Sequence, residues 1–158
     1  VHVRDAVADD IPTVVALLAA DQLGAHRERT TTPLDPAYVE AFATIDRDEH
    51  NRLVVLVDGD GDDIVGTLQL TFIPSLTFRG GWRAQIEAVR IAADRRGAGA
   101  GRFLIGWAIA AARERGCFLV QLTTNRQRAH ARAFYESLGF VASHHGMKLH
   151  LRDEVTRP

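Results

Sequence analysis

The stretch from Gln85 to Phe103, QIEAVRIAADRRGAGAGRF, constrains this chain more than any other. Ile86 to Ile91 reads as a buried strand. Arg96 to Arg102 is RGAGAGR, with Gly97, Gly99 and Gly101 at alternate positions around Ala98 and Ala100. A helical apolar pattern then runs from about Gly99 to Arg115. Strand, glycine-rich turn and helix N-terminus together make an anion site. Small residues let the backbone come close to a ligand, and several amide N–H groups converge at the positive end of a helix dipole. The expected ligand is a phosphate or pyrophosphate.

Elimination narrows the ligand. A Walker A loop needs Lys-Ser/Thr after its last glycine, and here Gly101 is followed by Arg102-Phe103. The dinucleotide fingerprint G-x-G-x-x-G needs a glycine at 102, and Leu119 to Thr124 carries no carboxylate for a ribose hydroxyl. What fits is Arg-x-x-Gly-x-Gly, on Arg96, Gly99 and Gly101, between Glu87-x-Val89-x-Ile91 and an amphipathic helix.

At 158 residues the chain is expected to be a single domain over 1–158, large enough to bury roughly two-thirds of its unfolded surface. A net charge of −1 gives no reason to expect nucleic acid or an anionic membrane as partner. Cys117 is the sole cysteine, so no internal disulfide points to an oxidising compartment, and it reads as an apolar filler. No apolar run approaches the roughly 18 residues of a membrane span, and no signal pattern opens the chain. A cytoplasmic protein is expected.

The elements follow from local pattern. His2 to Ala6 is a short strand; Asp9 or Asp10 caps a helix, with Pro12 in its first turn, that runs to about Leu23 and ends at Gly24. Ala25 to Pro36 is a polar, mobile connection, and a second helix covers about Pro36 to Asp48. Leu53–Val57 and Ile64–Phe72 form a hairpin across the acidic turn Asp58 to Asp63, which lacks the spacing of a calcium loop. Pro74 to Trp82 is a connection with its tightest bend at Gly80-Gly81. After the central strand and helix come a strand at Cys117–Thr124, a helix at Ala129–Leu138, and a terminal hairpin of Phe140–Ser143 with Met147–Leu151. Hairpins followed by a β-α-β-α-β stretch give an α+β fold with a mixed, mostly antiparallel central sheet flanked by helices.

Two motifs in this order, Glu87-x-Val89-x-Ile91 with Arg96 to Gly101, then Ala131-x-x-Phe134-Tyr135-Glu136-x-Leu138-Gly139-Phe140, resemble the GNAT superfamily of N-acetyltransferases. Gln121 to Asn125 with Arg128, His130 and Ala131 is loosely similar to small bacterial aminoalkylphosphonate acetyltransferases. The resemblance implies the GNAT acyltransferase fold, acetyl-CoA as acyl donor, and a loop that holds the CoA pyrophosphate. It also implies that Tyr135 protonates the CoA thiolate; a core aromatic with a satisfied hydroxyl is the structural alternative. Many relatives place a cofactor-binding asparagine seven residues before the motif tyrosine. Here Arg128 stands there and Asn125 lies three residues earlier, so either could touch the cofactor, or both could be solvated. Relatives often pair through sheet edges or the C-terminal hairpin, which implies a homodimer.

Acetyl transfer needs a neutral amine, a polarised thioester carbonyl and a proton for the departing thiolate. By strand alternation residues 87, 89 and 91 share one face and 86, 88 and 90 the other. A carboxylate in an apolar strand is costly unless paired or wet, which makes Glu87 a candidate base, direct or through water. The alternative is an ion pair of Glu87 with Arg83, Arg90 or another arginine. The backbone of Val89, Arg90 and Ile91 offers a strand edge to the two amides of pantetheine. The seven histidines show no metal-ligand spacing on one face, and His144-His145 reads as a surface turn, so no metal is expected. The leading reading is transfer of acetyl to a small primary amine. The alternatives are a non-catalytic acyl-CoA-binding module and an acetyltransferase of a protein N-terminus or lysine.

Overall fold

β-Branched and leucine residues supply a sheet covered on both faces. The computed structural model describes residues 1–151 except 22–23 and 60–62. Its strands are β1 (His2–Asp5), β2 (Asn51–Asp58), β3 (Asp63–Pro74), β4 (Trp82–Ile91) and β5 (Cys117–Leu122), side by side in that order. The ladders β1–β2, β2–β3 and β3–β4 are antiparallel. The helices are α1 (Ile11–Ala19), α2 (Pro36–Arg47), the single turn α3 (Thr77–Gly80), α4 (Ala100–Glu114) and α5 (Ala129–Glu136). The expected α+β fold with a mostly antiparallel sheet is what forms. The chain divides into two compact units, Val1–Gln121 and Leu122–Pro158.

In the first unit, Val54, Val55, Leu56 and Val57 are all buried, so β2 reads as a continuous apolar run rather than an alternating one. Val55 and Val57 pack with Val14 and Leu18 of α1 and Phe42 of α2. The opposite face meets α4, which buries Leu104, Ile105, Ala108, Ala111 and Ala112. Truncating Leu104 or Ile105 to alanine would cost about 2–5 kcal/mol. Arg52, on the α4 face of β2, lays its guanidinium 4.8 Å from the Trp107 ring, so that tryptophan covers a charged stem beside the core stripe.

Several expected boundaries shift. α1 ends at Ala19, and Gly24 closes a turn on the Asp21 carbonyl at 2.8 Å. Of the expected end at Leu23, residues 22–23 lie outside the described part. The connection after α1 is tied down: the Tyr38 hydroxyl donates to Glu28 at 2.8 Å and accepts from the Arg29 N–H at 3.0 Å. The bend before β4 begins earlier than Gly80-Gly81, because Phe78 and Arg79 already adopt left-handed φ of 52° and 57°. At the β2–β3 hairpin, Asp58 faces Asp63, with residues 60–62 outside the described part. Arg95 lies 2.6 Å from Asp58 and 3.5 Å from Asp63, so a guanidinium neutralises this acidic end.

The second unit holds α5 and the residues after it. The expected terminal hairpin does not form: 140–151 contain no strand, and Val141, Met147, Leu149 and Leu151 are exposed. Alternation gives the segment a strand-like face, but among the described residues no partner strand pairs with it. His144 and His145 are exposed, as expected of a surface turn.

Candidate active site

β4 is the strand that positions the site, and it is not regular. Gln69 faces Glu87 and Thr71 faces Gln85, but Thr67 faces Arg90 and Gly66 faces Ile91. Ala88 and Val89 therefore oppose Leu68 together. This is a β-bulge with one extra residue on β4, and Ala88 sits at φ 54°. The bulge overturns the expected alternation. Ladder partners share a face, so Glu87 lies with Gln69 and Arg90 with Thr67 on the α1 side, while Ile86 and Ile91 lie with Leu70 and Gly66 on the α4 side. Glu87 and Ile91 are on opposite faces.

Glu87 is exposed, and among the described residues no hydrogen bond or ion pair engages it. The ion pair weighed as its alternative role is absent from that set. Arg90 instead lies 3.6 Å from Asp21, just past α1, and donates to the Val89 carbonyl at 2.7 Å. This links the end of α1 to the row of the sheet next to Glu87.

After Ile91 the chain makes a 3-10 turn at Ala93–Arg95 and then the glycine turn. The Arg96 side chain donates to the Ile91 carbonyl at 3.1 Å, pinning the turn to the strand end. Gly97 and Gly99 have φ of 80° and 89°, which a side chain would strain, and a Cβ on either would meet nothing within 4 Å. Gly99 precedes α4, whose first helical bond runs from the Phe103 N–H to the Gly99 carbonyl at 3.0 Å. Ala100, Gly101 and Arg102 thus form the first turn, where amide N–H groups point out of the helix end. A cavity of about 400 Å³ opens here, lined by Ala98, Gly99, Ala100, Phe103 and the Arg95–Asp58 pair. Open space over left-handed glycines at a helix start fits a diphosphate.

At the start of β5, burial pushes the Cys117 thiol above its ordinary value, with Arg115 opposing, which lowers its thiolate share. Among the described residues no cluster of His, Cys, Asp and Glu is suited to a metal, and no helix is long and apolar enough to cross a membrane.

In the second unit, Asn125 uses its amide oxygen on the Gln127 N–H at 2.9 Å, shaping the turn into α5. Arg128 is the residue before that helix. Tyr135 is half-buried in α5 between Phe134 and Phe140, both edge-on, at 5.2 and 5.8 Å between ring centres. Its carbonyl accepts from the Leu138 and Phe140 N–H groups at 3.0 and 3.1 Å, folding the Leu-Gly-Phe end back onto the helix.

With this geometry in place, the comparison with known families is decisive. The model of the acetyltransferase (GNAT) family matches residues 18–140. This chain belongs to that family. It is similar to the aminoalkylphosphonate N-acetyltransferase of Salmonella typhimurium, with 29% identity over 146 residues, 90% of this chain and 86% of the relative. A solved transcriptional regulator from Bacillus halodurans C-125 is 50% identical, with a TM-score of 0.91 over 95% of this chain and 99% of its own. A putative acetyltransferase from Agrobacterium tumefaciens is 31% identical, with a TM-score of 0.83 and the same coverage. The chain is a GNAT N-acetyltransferase, and its acyl donor is acetyl-CoA.

Sequence reasoning missed Asn51, Gln69 and Gln85, polar side chains on the sheet face of Glu87, and named Gln121 only within the family resemblance. Asn51 Oδ1 accepts from Gln69 Nε2 and Thr71 Oγ1, and Gln121 donates to Gln85 at 2.7 Å. The available signal was polar residues recurring at alternate positions inside otherwise apolar strands.

Proposed function

We propose that this acetyltransferase moves acetyl from acetyl-CoA to the primary amine of a small molecule by direct attack, as one domain spanning 1–158. The observation that carries the reading is Glu87, an exposed carboxylate with no partner among the described residues. It stands one residue before the β4 bulge, on the strand that leads into the glycine turn. In support, the Salmonella relative is named for small aminoalkyl acceptors, and the family match runs through both units.

Glu87, directly or through a water, takes a proton from the acceptor ammonium. The free amine attacks the thioester carbonyl carbon, so that an N–C bond forms and the C–S bond breaks. Tyr135 gives its phenolic proton to the departing sulfur, the surplus proton on the new amide nitrogen leaves to solvent, and Tyr135 is reprotonated from solvent. The amides from Gly97 to Arg102, with Arg96, hold the diphosphate. The backbone of Val89, Arg90 and Ile91 holds pantetheine, and Asn125 and Arg128 add contacts to the donor.

pH–rate profiles of two variants test this division of labour. Glu87→Gln should lose most activity at low pH, where the amine is least often free, and recover toward the amine's own pKa. Tyr135→Phe should lower kcat by about 10²-fold with little change in the KM for acetyl-CoA. An equal loss for Glu87→Gln at every pH removes Glu87 as base. Normal kcat in Tyr135→Phe leaves solvent as the proton donor.

A further inference from the structure

We infer that the acceptor carries an anionic group, a carboxylate or a phosphonate, and that Arg83 binds it while Glu87 takes the amine end. The inference rests on the reading of Glu87 as base and deepens it by naming the substrate class, a short zwitterionic primary amine. On the regular half of β4, before the bulge, Arg83 faces Ile73, Gln85 faces Thr71 and Glu87 faces Gln69. Ladder partners share a face, so these side chains all stand on the α1 side. None of them is buried, whereas Leu70, Phe72, Ala84 and Ile86, which alternate with them, are buried on the α4 side. This end of the sheet therefore leaves one face open and lines it with polar groups.

Arg83 is the cation of that surface. It is half-buried, and among the described residues no hydrogen bond, ion pair or aromatic ring engages it. Glu87 stands on the same face, equally without a partner in that set. The rise of a strand sets their Cα atoms about 13 Å apart, a gap that the two side chains narrow to the length of a short aminoalkyl chain. A guanidinium drawn part-way out of water without a counter-charge is costly, and its planar fork matches the paired oxygens of a carboxylate or a phosphonate. One ligand with an ammonium at one end and an acid at the other supplies both missing partners. Between those ends, Gln85 and Gln121 are joined at 2.7 Å and Gln69 donates to Asn51 at 3.2 Å. Their amide nitrogens each retain a further N–H, which suits anionic oxygens as well. The strand also sets the direction. Glu87 adjoins the bulge and the run to the glycine turn, so the amine lies toward the donor and the acid toward the start of β4 at Trp82.

The test is CoA release at saturating acetyl-CoA with 3-aminopropylphosphonate, 4-aminobutyrate, n-butylamine and putrescine, and with aminomethylphosphonate and glycine as shorter acids. At least one acid should exceed both n-butylamine and putrescine in kcat/KM by about tenfold or more, the scale of a charge-assisted hydrogen bond. Whether a phosphonate or a carboxylate leads names the headgroup. Arg83→Gln should raise the KM of the leading acid about tenfold more than that of n-butylamine, and Arg83→Lys should recover part of the loss. Arg83→Glu should turn the preference toward putrescine; should it fail to fold, Arg83→Gln and the amine comparison decide. Putrescine or n-butylamine used as well as every acid, or an equal loss on all amines in Arg83→Gln, overturns the proposal, while a pH-dependent loss in Glu87→Gln leaves the base intact. No CoA release with any of these amines removes the small-amine reading itself, and this proposal with it.

Discussion

Asp10 joins the first strand to the first helix. Its carboxylate accepts from two Arg4 nitrogens at 2.6 and 2.9 Å and from the Val7 N–H at 2.8 Å, and it is 8% exposed. The Arg4 hydrogen bonds lower its pKa most, burial opposes them, and the carboxyl is held below its ordinary range. A folded pKa below the unfolded one means that stability is fully present above the unfolded value and is lost as pH falls through the folded one. Asp10→Asn should cost about 2 kcal/mol at neutral pH, the scale of hydrogen bonds to a charged group, and should flatten the acid limb. Urea denaturation at pH 7 and pH 3 checks this; an unchanged acid limb would assign acid sensitivity elsewhere. That an aspartate stands at the start of this helix was legible from Asp9-Asp10 followed by Pro12, but the expected side-chain cap does not form. That Asp10 bonds backward was not, because its partner stands on β1 and meets it only once the chain has turned.

At the scale of elements, β4 and the turn after it show where pattern reading stops. Five strands and the three longer helices of the first unit were visible as apolar runs between breakers. One extra residue at Ala88 leaves no mark on that pattern, yet it reverses the facing of everything after it. Alanine at φ 54° carries roughly 1–2 kcal/mol of strain, and a β-branched residue carries more. Ala88→Val should therefore lower stability by about 2 kcal/mol, whereas Ala88→Gly should hold it within about 0.5 kcal/mol. Thermal denaturation of the two variants reads the difference, and equal melting would mean the bulge relaxes freely. Gly101 gives the complementary probe. It lies inside α4 and has no left-handed φ, so valine there tests ligand approach rather than backbone strain. Gly101→Val should raise the KM for acetyl-CoA by about tenfold with a nearly unchanged melting temperature, if the amides of this turn hold the diphosphate. An unchanged KM would move the diphosphate off the turn.

At the scale of the whole molecule, the unfinished part is the C-terminal segment. Met147, Leu149 and Leu151 are 93%, 85% and 89% exposed, and they alternate with Lys148 and His150 as one face of a strand would. The first unit also exposes Leu76 at 98% and Phe78 at 71%. Monomeric proteins seldom leave so many large apolar side chains bare, and an alternating segment with no strand partner among the described residues is a template for another chain. A second copy is the simplest partner, because a symmetric pair supplies both the segment and the surface that covers it. Sedimentation at micromolar concentration should then give a mass near twice 17.4 kDa. The double variant Met147→Lys, Leu149→Lys should sediment as a monomer, with the KM for acetyl-CoA unchanged if the glycine turn is complete within one chain. A wild-type monomer at that concentration would leave the segment without a partner from this protein. A dimer that survives both lysines would place the contact on the first unit, where Leu76→Lys with Phe78→Lys is the decisive pair.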